Sequence, residues 1–150
     1  MEQAKKHLKI SSLIVLLFAG LSLLNIVVEL LLGDINSAEI PEGAPVDILM
    51  ITKIILLVVS VICLFPRVYV GMKGLRMAKN PDSSKGHIIW ATIIFVLTLI
   101  GLVSPLLAVV KQENVSENVS SLLGILLDLA IYYDYIKYAK QVSKQASEEN

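Results

Sequence analysis

Residues 88–110 read IIWATIIFVLTLIGLVSPLLAVV, twenty-three positions without a charged side chain. As an α-helix the stretch is about 34 Å long, slightly more than the roughly 30 Å hydrocarbon core of a bilayer. The rest of the chain has the same character. Of its 150 residues 55% are hydrophobic and only 17% charged, where soluble domains average about 45–50% and about 25%. The mean hydropathy is +0.73. A formal net charge of zero gives no basis for nucleic-acid binding.

Three further apolar runs flank the opening stretch. With their polar ends, the four spans are expected at about 8–32, 46–70 with a helical extension to 79, 86–110 and 119–142. The expected fold is an all-α integral membrane protein. It is a single transmembrane domain over residues 1–150, with four transmembrane helices in an up-down bundle. The first run follows Lys5, Lys6 and Lys9, but it outlasts the 7–15 residues usual in a signal peptide and is read as a retained span.

Lys and Arg set the orientation. Lys5, Lys6 and Lys9 precede the first span; Arg67, Lys73, Arg76, Lys79 and Lys85 lie between the second and third. Lys137, Lys140 and Lys144 lie at the C-terminal end of the fourth, which leaves only Lys53 and Lys111 for the opposite side. The positive-inside rule places both termini in the cytoplasm, of a plasma membrane or bacterial inner membrane. Lys73, Arg76 and Lys79 share one helix face directed at lipid headgroups. In the short turn KNPDSSKG at 79–86, Pro81 ends a helix, and Asp82, Ser83 or Ser84 is expected to cap the next. Pro66 is expected to kink the second helix, and Gly71 and Gly74 to weaken it.

Each span carries one stripe of small or polar residues, which lipid cannot satisfy and which is expected to pack inward. The candidate seam comprises Asp128, Tyr132, Thr98, Ser60 and Asn25, with Gly124 beside Asp128. A charge at Asp128 costs at least about 2.5–3.5 kcal/mol on insertion scales. It has to be protonated, paired, hydrated or hydrogen-bonded, and Thr98, Ser60 and Tyr132 are the expected contacts. Two ion pairs are candidates by depth: Glu29 with Lys53, and Arg67 with Asp134.

The two hairpins resemble each other. KKHLKISSLIVLL at 5–17 aligns with KGHIIWATIIFVL at 85–97, bringing His7 against His87. LRMAKN at 75–80 aligns with IKYAKQ at 136–141. Duplication of this kind predicts a pseudo-two-fold axis along the membrane normal.

Catalytic signatures are missing. There is no G-x-S-x-G, no H-E-x-x-H and no Gly-rich phosphate loop with Lys. The single Cys63 excludes an intramolecular disulfide, and no acid or thiol cluster accompanies the histidines as a metal site requires. No cofactor, metal or enzymatic activity is expected. The expected function is a non-enzymatic interaction or accessory subunit of a membrane complex, with the bilayer and another membrane protein or a second copy as partners. The alternative is an oligomeric small transporter or channel that uses Asp128.

Overall fold

The computed structural model describes residues 2–32, 46–82, 84–111 and 115–148; the side chains of 29–32, 46–50, 52, 53, 56 and 117 lie outside that description. Among the described residues the regular structure is all helical: α1 Glu2–Leu32, α2 Val46–Lys79, α3 Gly86–Gly101, α4 Val103–Val110 and α5 Val115–Glu148. α3 and α4 form one interrupted rod. Four helices are therefore long and apolar enough to cross a membrane.

Two ends extend beyond the expected spans. α1 begins at Glu2 rather than near Leu8, and α5 continues to Glu148 rather than ending near 142. These extra turns are amphipathic. Ala4 and Leu8, and then Ala139, Val142 and Ala146, are buried at spacings of three and four residues, which places them on one helix face. A search for continuous apolar runs passes over such turns.

α2 continues through Pro66, whereas the third rod is interrupted at Leu102. Pro105 explains the interruption. It has no N–H to offer the carbonyl of Gly101, and its ring crowds that carbonyl. The Leu102 amide instead reaches both the Thr98 and Leu99 carbonyls, at 3.2 and 3.3 Å.

In the α2–α3 turn, Asp82 does not cap α3. Its Oδ1 accepts from the Ser84 amide at 3.0 Å, the two-residue reach of an Asx turn. Lys85 occupies the cap position without a side-chain bond.

α1 packs on α2 and α5, and α3 packs on the same two helices; α4 packs on α5. The core gathers at the end holding the start of α1, the end of α2, the start of α3 and the last turns of α5. Leu8, Met77, Ile88, Tyr135 and Val142 all belong to it. Gly71 and Gly74 allow this approach. A methyl at Gly71 would stand 2.6 Å from Leu16 Cγ, and one at Gly74 would run into the Ser12 hydroxyl and the Tyr135 ring. These glycines are thus contact points between helices as well as weak helix formers. At the far end the packing opens: Gly20, Gly101 and Gly124 have nothing within 4 Å of the position a Cβ would take.

The contacts have an approximate two-fold arrangement. Aligning LRMAKN with IKYAKQ offsets α2 from α5 by 61 residues, so Arg67 aligns with Asp128 and Gly74 with Tyr135. Arg67 and Asp128 are hydrogen-bonded across that same separation of 61, and Gly74 faces Tyr135. A two-fold that relates the hairpins would pass between α2 and α5, where these aligned residues meet. The outer helices follow suit. α1 lies against α2 as α3 and α4 lie against α5, α1 touches α5 as α3 touches α2, and α1 and α3 do not meet among the described residues.

Candidate functional site

Asp128, Tyr132 and Tyr135 recur at intervals of four and three on α5, so they form one face. That face meets α2. The Arg67 Nη2 donates to Asp128 Oδ2 at 2.9 Å, and the two side chains are 28% and 16% exposed. One turn below, Tyr132 is buried, and Tyr135 is completely so. The Tyr135 hydroxyl donates to the Val70 carbonyl at 2.8 Å. A buried phenol needs such a partner, and a helix carbonyl has a second lone pair to offer.

The pairing of Arg67 corrects one expectation. Arg67 reaches Asp128, not Asp134, which is exposed. Asp134 lies six residues from Asp128 and so points about 120° away from the Asp128–Tyr132–Tyr135 face. The Glu29–Lys53 pairing falls on side chains outside the described residues.

The seam is only partly assembled. Thr98 donates to the Ile94 carbonyl of its own helix at 2.8 Å. Ser11, Ser12 and Thr92 likewise reach back four residues to their own backbone. A hydroxyl four residues beyond a carbonyl finds that partner without any second helix, so the expected hydroxyl bridge to Asp128 from Thr98 is replaced by local bonds. Ser60 is half-buried and Asn25 exposed. Tyr132 lies with Asp128 as expected, whereas Gly124 is exposed and open. Of the basic face on α2, Arg76 and Lys79 are exposed and Lys73 is half-buried.

Two features of the site were not expected. His87 is 1% exposed, and neither ring nitrogen has a hydrogen-bond partner. Its ring stands edge-on to Tyr135, centroids 6.1 Å apart. Its aligned residue, His7, is exposed and stacks on Tyr138 at 4.6 Å. Each histidine thus touches a tyrosine of α5, but only one is enclosed. The second feature is the Arg67–Asp128 bond itself. The hairpin alignment, carried back from Leu75 to Arg67, already sets the two opposite charges at equivalent positions.

Chemically, this arrangement joins helices. An arginine fork and a carboxylate, a phenol and a backbone carbonyl, and two close-approach glycines all act between α2 and its neighbours. Comparison with protein-family models, curated proteins and solved structures finds no match for the chain.

Proposed function

We propose that this chain is a small multi-pass membrane protein that works by association, as a non-enzymatic interaction or accessory subunit of a membrane complex. Both termini face the cytoplasm, and the open end of the bundle takes the partner's helices. One observation carries the reading: the packing is uneven. Gly71 and Gly74 are filled by neighbouring helices, while Gly101 and Gly124 stand exposed on the far half with nothing against them. Small residues let membrane helices approach closely, and among the described residues two such places have nothing within 4 Å of them. The Arg67–Asp128 bond supports the same reading over transport, because the carboxylate that would bind an ion is engaged in holding α2 to α5.

The test is association in lipid. Gly124→Leu and Gly101→Leu are expected to abolish a stoichiometric complex with a second copy or a co-purifying membrane protein. Helix content should stay unchanged, since neither side chain meets the rest of the bundle. Purification as a lone monomer that stays monomeric in bilayers would overturn the proposal. Ion flux into proteoliposomes that Asp128→Asn abolishes would establish the transport alternative instead. Orientation is tested in a Cys63→Ala background: Lys79→Cys and Lys111→Cys are expected to react with impermeant reagents from opposite sides.

A further inference from the structure

Between α3 and α5 runs a groove of about 770 Å³. Its two ends differ. At the end nearer the chain termini it is lined by Lys85, Lys140, Lys144 and Ser143; further along α3, Ile89, Ile93 and Leu97 take over. The three lysines line one opening, Lys85 from the N-cap of α3 and Lys140 and Lys144 from α5. Among the described residues the acid bonded there is Glu148, 3.8 Å from Lys144 Nζ in an exposed pair, which leaves Lys85 and Lys140 without an ion pair among those residues. Thr92 adds little polarity, because its hydroxyl is turned onto the Ile88 carbonyl.

Ser143 supplies a second, independent indication. It is 4% exposed, lines the groove, and its Oγ has no hydrogen-bond partner. A buried hydroxyl left unbonded costs about 1–3 kcal/mol; the Oγ has almost no exposed surface of its own, and a rotation about χ1 is what brings it to an acceptor seated among the lysines. Along the apolar part, Ile89 to Leu97 covers about 12 Å of helix, most of the roughly 15 Å depth of one leaflet.

We propose that this groove binds one anionic glycerophospholipid. The phosphodiester lies between Lys85, Lys140, Lys144 and the Ser143 hydroxyl, and one acyl chain lies along Ile89, Ile93 and Leu97. An anionic acceptor with an attached apolar chain matches both ends at once; a free phosphate matches only the first. The site goes beyond the association role and rests only on the chain lying in a bilayer, which retention in carbonate-washed membranes reports separately.

The full chain, stripped of lipid in detergent, is incubated with phosphatidylglycerol or phosphatidylcholine, and retained lipid is counted by native mass spectrometry. The wild type is expected to hold one phosphatidylglycerol at least tenfold in preference to phosphatidylcholine. Lys85→Gln/Lys140→Gln/Lys144→Gln should remove that preference, and Ile93→Trp, which fills the groove, should remove retention of both lipids. Lys140→Gln alone should lower retention at least threefold, which keeps the test readable if the triple variant does not fold. Lys5→Gln/Lys6→Gln/Lys9→Gln, which removes the same charge from α1, should leave retention unchanged. Equal loss in that control, or an unchanged preference in the groove variants, would overturn the site. So would displacement of the lipid by inorganic phosphate at equal concentration, which would reduce it to an anion site without a chain.

Discussion

His87 and Tyr135 show two outcomes for a polar group in this core. Tyr135 is satisfied by the Val70 carbonyl, whereas both nitrogens of His87 are enclosed without a partner. Removing the Tyr135 hydroxyl as Tyr135→Phe should therefore cost about 1 kcal/mol, the ordinary net worth of one hydrogen bond. His87→Phe works in the other direction. It keeps a planar ring against Tyr135 and deletes two unbonded polar atoms, so stability is expected to rise or hold. Thermal unfolding of the two variants in one detergent measures the contrast. A fall of more than about 1 kcal/mol for His87→Phe would mean that the imidazole is bonded after all. The sequence aligned His7 with His87 but gave no means to tell the exposed ring from the buried one. That difference depends on Tyr135 and Tyr138, which face different neighbours three residues apart.

At the level of the helices, hydropathy located four rods but not their working lengths. The apolar stretch at 88–110 is legible because nothing in it is charged. The first turns of α1 and the last turns of α5 are not, because their apolar residues alternate with lysines and serines and only packing shows which face is inside. Proline was legible as a disruptor but not by site, since its effect depends on what the neighbouring carbonyls find instead. Pro105→Ala restores the missing N–H opposite Gly101. It is expected to merge α3 and α4 and to raise amide-exchange protection across Leu102–Leu106. Unchanged exchange would assign the interruption to packing rather than to Pro105. Gly74 matters between elements rather than within one. Gly74→Ala gains helix propensity of about 1 kcal/mol, yet drives a methyl into Ser12 and Tyr135. Overpacking of this kind costs about 1–3 kcal/mol, so a net loss of stability is expected on unfolding, where propensity alone would give a gain.

For the whole molecule, the alignment of the two hairpins was the one sequence signal that bore on the candidate site. Depth alone pairs Arg67 with Asp134, because it treats each helix as a straight ruler through the bilayer. Symmetry makes a stronger statement. Positions 67 and 128 are aligned between the hairpins, they meet between α2 and α5, and they bear opposite charges 2.9 Å apart. Equivalent positions on an axis see similar surroundings, so the charges should be exchangeable. Arg67→Asp alone sets two carboxylates together, and Asp128→Arg alone sets two guanidinium groups together. Each is expected to lose about 2–3 kcal/mol, at or just below the roughly 3–5 kcal/mol of a broken buried pair, because these side chains are partly exposed. The double reversal should recover most of that loss, since it rebuilds the same bond with its direction turned round. Unfolding midpoints of the four proteins in one lipid mixture complete the cycle. Additive losses would show that the two sides of the axis differ in what surrounds the pair, and that the two-fold arrangement does not extend to its electrostatics.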